Sequence, residues 1–343
     1  PEDRCPRSRR PSLPARGSSR RLRGVAGSLE NLVAVRCGRK PAPPRSDVTE
    51  FSLEVRLGRM SDLTGGKMEM RPEKSMQPFG VEDLRRLAET FVADEPARLG
   101  TEGWWRPPLL ATAPVDDRFE MLPRIAADDH LHPRDLLPTA RTVIVFFIPF
   151  RKDLVLANQK GERPSRDWGL AYVQTNDLIN RLSQCLGDRL GELGFRCGLT
   201  PATHNFNETK LMARWSHKHL GHLVNLGRFG THHMLITPAG CTGRLGSLVT
   251  EAELGAHPLI ETREACLLKA GKACGLCIEV CPVKAIKANG FERRHCWQRL
   301  KDNRADLDYF SDLPETTHVC GKCAAMMPCS FGNPVARLEA ATR

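Results

Sequence analysis

Eight of the thirteen cysteines in this 343-residue chain fall between residues 266 and 329. Their spacing limits what the chain can become more than any other feature does. The run GKACGLCIEVCP, residues 271–282, carries Cys274, Cys277 and Cys281, with Pro282 directly after. These are the last three positions of the cluster-binding pattern C-x2-C-x2-C-x3-C-P. The first position falls on Gly271, so either the motif is damaged or its fourth sulfur comes from elsewhere.

The eight cysteines in order are Cys266, Cys274, Cys277, Cys281, Cys296, Cys320, Cys323 and Cys329. Two 4Fe–4S clusters need that number of thiolates, and in two-cluster proteins the Cys before Pro serves the other cluster. This rule assigns Cys266, Cys274, Cys277 and Cys329 to one cluster. It assigns Cys281, Cys296, Cys320 and Cys323 to the second. Seven residues then separate Cys266 from Cys274 where the pattern has two, and five separate Cys323 from Cys329 where it has three. Both irregular spacings fall on the first cluster. The alternative is structural zinc, which C-x2-C pairs also bind. The Cys-Pro step, the lack of a His at finger spacing and the total of eight favour iron–sulfur.

The rest of the chain supplies a core for such a module. Apolar residues make up 41%, and no stretch approaches the roughly 18 apolar residues of a membrane helix, so no membrane partner is expected. The net charge is +11, but residues 1–50 hold twelve Lys/Arg against five Asp/Glu, which leaves only +4 for the rest. Residues 1–70, rich in Arg, Pro and Ser at their start, read as a disordered basic extension. SRRLRG (19–24) invites an export reading, but Glu30 and Asn31 interrupt the apolar stretch an export signal needs. The expected location is therefore cytoplasmic, where clustered cysteines point to ligation rather than disulfides. Cys5, Cys37, Cys185, Cys197 and Cys241 show no pairing logic.

Apolar periodicity predicts helices over 80–95, 167–195 and 208–227. Strands are expected at RTVIVFFIPF (141–150), buried on both faces, and near 196–199, 233–237 and 244–250. Residues 100–135 read as Pro-rich loop. Alternating strands and helices imply an α/β (α+β) domain over 71–257, a sheet covered by helices. From about 258 to 335 the pattern breaks into the short segments of a dicluster ferredoxin-like 4Fe–4S module.

HPRDLLPTARTVIVFFIPF (132–150), NLGRFGTHHMLIT (225–237), GCTGRLGSLVT (240–250) and the cysteine module with RRHCWQRL (293–300) stand in a telling order. Over roughly 135–330 the chain resembles the epoxyqueuosine reductase family, cobalamin-dependent iron–sulfur proteins related to the reductive dehalogenases. The resemblance implies a cobalamin-binding-type domain followed by the two-cluster module, which passes electrons to base-off cobalamin. It implies a low-potential electron donor of the ferredoxin or flavodoxin type, and tRNA as a partner, to which a core charge of +4 adds little. It also places Gly227 and Gly230 near the corrin, as cofactor-binding positions where backbone must approach closely.

The chain departs from the family at one point of chemistry. The tRNA enzymes carry a catalytic Asp before the glycine loop, whereas residues 202–227 here contain none. Glu208 is the only carboxylate of that stretch and the candidate acid, with His204 and Asn207 as further polar candidates. The His-rich RWSHKHLGH (214–222) reads as a basic helix facing solvent or an anionic cofactor tail, with metal binding at His219 and His222 as the lesser reading. Two functions remain open: a cobalamin-using reductase, and a dicluster electron carrier without substrate chemistry of its own.

Overall fold

The computed structural model describes residues 79–203 and 206–342. The expected basic extension over 1–70 and the candidate His204 lie outside the described residues. Nine helices and ten strands are used here, in chain order: α1 (Val81–Leu99), β1 (Leu109–Pro114), α2 (Leu122–Ile125), α3 (Pro133–Leu136), β2 (Thr142–Pro149), α4 (Lys152–Gln159) and α5 (Arg166–Glu192). Next come β3 (Cys197–Leu199), β4 (Phe206–Asn207), β5 (Met212–Ala213), α6 (His217–Leu223), β6 (Arg228–Phe229), β7 (Leu235–Ile236) and β8 (Gly243–Thr250). The cysteine-rich part adds α7 (Leu276–Glu279), β9 (Ile286–Lys287), β10 (Gly290–Phe291), α8 (Arg293–Asp306) and α9 (Pro334–Ala341).

A four-stranded sheet in the order β1-β2-β8-β3, antiparallel throughout, organises the first part. All eight residues of β2 are buried, as the unbroken apolar run predicts. Strand periodicity divides them between two cores. Ile144, Phe146 and Ile148 pack with Leu84 and Ala88 of α1 and Leu178, Leu182 and Leu186 of α5. Val143, Val145 and Phe147 face the other side, toward Leu220 of α6, Trp215 and Leu235. Helices on both faces therefore explain a doubly buried strand in an antiparallel sheet. Opposite Phe146, β8 carries Gly246, where a Cβ would sit 2.3 Å from the Phe146 Cζ. The ring takes up the space a side chain on β8 would need.

Helix α5 is capped by the Ser165 side chain, which accepts from the Trp168 N–H, and the chain leaves it through Gly194 at φ +90°. Its apolar stripe buries Leu178, Leu182, Leu186 and Leu190. Two expectations fail. Strand β1 lies inside the stretch read as loop, because LLATAP is short, ends in Pro114 and sits at a sheet edge, where proline is tolerated. The helix over 208–227 is instead a β4–β5 hairpin followed by α6, which holds only seven residues. The Asn207 side chain accepts from the N–H groups of Thr209 and Lys210, each at 2.9 Å, and Leu211 turns left-handed at φ +53°. That local turn wins over helical periodicity.

Replacing Phe146 by Ala empties the centre of the first core, and equilibrium urea unfolding is expected to show a loss of about 3–5 kcal/mol. A loss under about 1 kcal/mol would contradict the central place given to that ring.

Candidate cluster and cofactor site

The cysteine-rich segment has little apolar surface of its own and packs its sulfurs inward. Cys266, Cys277, Cys281 and Cys329 are buried, in one cluster of side chains with Ile236, Cys241, Ala285, Ile286 and Met327. Gly271 adopts φ +71° with open space around it, a conformation that disfavours a cysteine. It serves as a turn: Ala270 donates to the Cys266 carbonyl at 2.9 Å and Lys272 to the Leu267 carbonyl at 2.8 Å. The turn carries the chain from Cys266 back to Cys274. The longer stretch from Cys323 to Cys329 is also a closed turn, with Met326 at φ +62°. There the Ser330 hydroxyl donates to the Ala324 carbonyl and accepts from the Met327 N–H, both at 2.6 Å.

The sulfurs fall into two sets. Cys266, Cys274, Cys277 and Cys329 line one small cavity of about 20 Å³. Burial, then the charges of Cys329, Cys266 and Cys274, push the Cys277 thiol up to about 11. Cys281, Cys296, Cys320 and Cys323 line a separate, larger space. Burial, then the charges of Cys320 and Cys281, push Cys296 up to about 11 as well. Burial, then the charges of Cys320, Cys296 and Cys281, raise the Cys323 thiol as well. Four sulfurs facing one space are the donor set a 4Fe–4S cluster takes, so each set fits such a cluster.

Around the first set lie partners with no spacing signal in the sequence. His232 Nδ1 accepts from the Met234 N–H at 3.0 Å, so the proton of its neutral ring sits on Nε2. Nε2 therefore donates to Cys329 Sγ at 3.3 Å. Cys241 Sγ lies 3.9 Å from the same sulfur, and the ligand atoms of His232, Cys241 and Cys329 fall within 4.8 Å of one another. The Cys241 thiol and His232 lower the Cys329 thiol to about 5. The Thr231 hydroxyl is 3.5 Å from Cys266 Sγ, and Cys281 Sγ accepts from the Ala285 N–H at 3.3 Å. Cys241 is brought here by tertiary structure alone.

Beside the second set opens a cavity of about 280 Å³, walled by its four cysteines, Cys241, Tyr172, Arg244, Arg299 and Lys218. Two more, of about 270 Å³ and 280 Å³, adjoin it and share Lys218 in their walls. One is lined by Phe206, Trp297 and Arg293, the other by Trp215, His217 and Arg244. Burial pushes Lys218 down to about 8, and its Nζ donates to the His233 carbonyl at 3.3 Å. His217 is held near 4 by burial, with Nδ1 2.7 Å from the Ser247 hydroxyl. His219 falls to about 3, chiefly by burial, with Nδ1 2.7 Å from the Ser216 hydroxyl. These histidines are neutral and engaged with hydroxyl groups.

The remaining candidates lie apart from these walls. Glu208 is exposed on the turn between β4 and β5 and lines none of the three cavities. A Cβ on Gly227 would meet the Ile236 carbonyl oxygen at 2.7 Å, and one on Gly230 would meet His232 Cε1 at 2.6 Å. Packing within the β6–β7 hairpin thus demands glycine at both positions.

No family model and no curated protein matches the chain. Among solved structures it is similar to the epoxyqueuosine reductase from Streptococcus thermophilus, over 74% of this chain and 67% of that one, at 16% identity and a TM-score of 0.45. The Bacillus subtilis epoxyqueuosine reductase is similar over 73% and 67%, at 14% identity and 0.44. A catabolic reductive dehalogenase is similar over 68% of this chain, which spans only 31% of that protein, at 11% identity and 0.45. Identities and scores at this level transfer neither substrate nor cofactor.

The grouping places Cys266 beside the motif's sulfurs despite its distance from them in sequence, which makes it a candidate ligand. After anaerobic reconstitution with iron and sulfide, Cys266→Ala should hold about half the iron of the unaltered chain. Cys241→Ala should keep nearly all of it, and unchanged iron in Cys266→Ala would remove Cys266 from the ligand set.

Proposed function

We propose that the chain is an iron–sulfur oxidoreductase resembling epoxyqueuosine reductase. In this reading Cys266, Cys274, Cys277 and Cys329 hold one 4Fe–4S cluster, and Cys281, Cys296, Cys320 and Cys323 hold the other. The observation that carries it is the division of eight thiols into two sets of four, the second of which opens directly onto a large cavity. A low-potential donor of the ferredoxin or flavodoxin type would supply the electrons, in the cytoplasm.

The cavity suits a large, partly apolar cofactor: its walls include Phe150, Val283, Ile286, Phe291 and Leu300, and they continue into the two adjoining spaces. Cobalamin fits this character, and when bound it would supply low-potential reduction at its cobalt. The chain's own residues would exclude water, set charge and deliver protons. With no carboxylate among the described residues of these walls, proton delivery falls to Lys218 Nζ, which burial holds near 8 and therefore ready to give up a proton near neutral pH. Tyr172, beneath the Arg244 guanidinium at 4.2 Å, borders the same space. A tRNA substrate, such as the stem loop bound in one epoxyqueuosine reductase structure, stays within this proposal.

The second reading is a dicluster electron-transfer protein without substrate chemistry. Titration of the anaerobic protein with cobalamin, followed by visible absorption, separates the two. The reductase reading expects saturable conversion to a base-off spectrum. An unchanged cobalamin spectrum leaves the electron carrier.

A further inference from the structure

The turn between β6 and β7 is built inward. The His233 N–H donates to the Gly230 carbonyl and the Gly230 N–H to the Met234 carbonyl, each at 2.9 Å, with His233 left-handed at φ +59°. Turn residues normally face water. The two central residues here, Thr231 and His232, are only 8% and 4% exposed. Buried polar side chains need partners, and both find them on cysteine sulfur. The Thr231 hydroxyl lies 3.5 Å from Cys266 Sγ, and His232 Nε2 donates to Cys329 Sγ at 3.3 Å. Neighbouring residues of one turn thus meet two different sulfurs of the first set.

The His232 ring is held for this contact. The Met234 N–H fixes Nδ1 at 3.0 Å, and a Cβ on Gly230 would strike the ring at Cε1. The turn is pinned in its own right, since Lys218 Nζ donates to the His233 carbonyl and the His233 ring stacks on Phe291 at 5.0 Å between centres. In the second set, by contrast, Cys281 and Cys320 accept from the backbone N–H groups of Ala285 and Lys322.

We propose that Thr231 and His232 are positioning residues that raise the reduction potential of the cluster held by the first set. The proposal rests on the dicluster reading above and adds what this turn does for one cluster. A ligating cysteine is a thiolate and can only accept, so both contacts then run from side chain to sulfur. Reduction adds one electron to the cluster, and no proton moves in the step. Hydrogen bonds strengthen as their acceptor becomes more negative, so the two donors favour the reduced form and ease electron entry.

Redox titration of the anaerobic, cluster-loaded full chain with dithionite, followed by electron paramagnetic resonance, tests it. The unaltered protein should show two one-electron steps, and the step missing from Cys266→Ala belongs to the first set. His232→Leu should lower that step about tenfold in its reduction equilibrium, ~59 mV for one electron, and leave the other in place. His232→Gln, whose amide can present an N–H to the same sulfur, should recover part of the shift. Thr231→Val, which keeps the shape and removes the hydroxyl, should lower the same step by less, and Thr231→Ser should restore it. Full iron content certifies each variant, and Thr231→Val carries the test if His232→Leu does not load. A first step unmoved in the loaded variants, or an equal shift of both steps, overturns the proposal and leaves the dicluster reading standing. An unaltered protein without two clusters overturns both.

Discussion

The Cys241 N–H donates to the Cys329 carbonyl across 2.9 Å, and the Thr242 hydroxyl to the Ser330 carbonyl across 2.7 Å. This seam joins the strand that enters the sheet to the last cysteine of the chain. It is tight: Gly240, at φ +98°, would place a Cβ 2.2 Å from the Ser330 carbonyl oxygen. A second clamp lies nearby, where Asn158 Nδ2 donates to the Cys320 carbonyl and Lys322 Nζ to the Asn158 carbonyl. Without these contacts Cys320, Cys323 and Cys329 would have no fixed relation to the sulfurs of residues 266–296, and neither set of four would close.

The seam also orders the chemistry around it. His232 and Cys241 stand between the first set of sulfurs and the large cavity, each directed at Cys329. Hydrogen bonds to a cluster's sulfur ligands raise its reduction potential, so these side chains bear on how readily that set would accept electrons. The second set lies on the cavity wall itself, with Lys218 and Arg299 beside its sulfurs. Among the described residues the walls facing these sulfurs hold no carboxylate and are partly apolar, which is the setting the proposed reduction would use.

Much of this was written in the sequence, for reasons that can be named. The buried strand β2, helices α1 and α5, and β8 follow from apolar patterns long enough to override local competition. The expected cysteine partition comes from a local rule about Cys-Pro, and the two turns at Gly271 and Met326 show how longer spacings still return the chain. What escaped depends on tertiary contact or on short-range turn chemistry. The Asn207 turn ended a helix before it formed. Cys241 has no partner at any regular spacing and meets Cys329, 88 positions further along the chain, only through the tertiary fold. The larger cavity is equally invisible in one dimension, since Lys218 and Arg244 in its wall belong to separate elements.

The central claim is that eight thiols from residues 266–329 form two sets of four, each holding a 4Fe–4S cluster. Native mass spectrometry of anaerobically purified protein tests it most directly. The account predicts an added mass equal to two clusters, about eight iron and eight sulfide. A mass corresponding to zinc ions without sulfide, or to a single cluster, would contradict it.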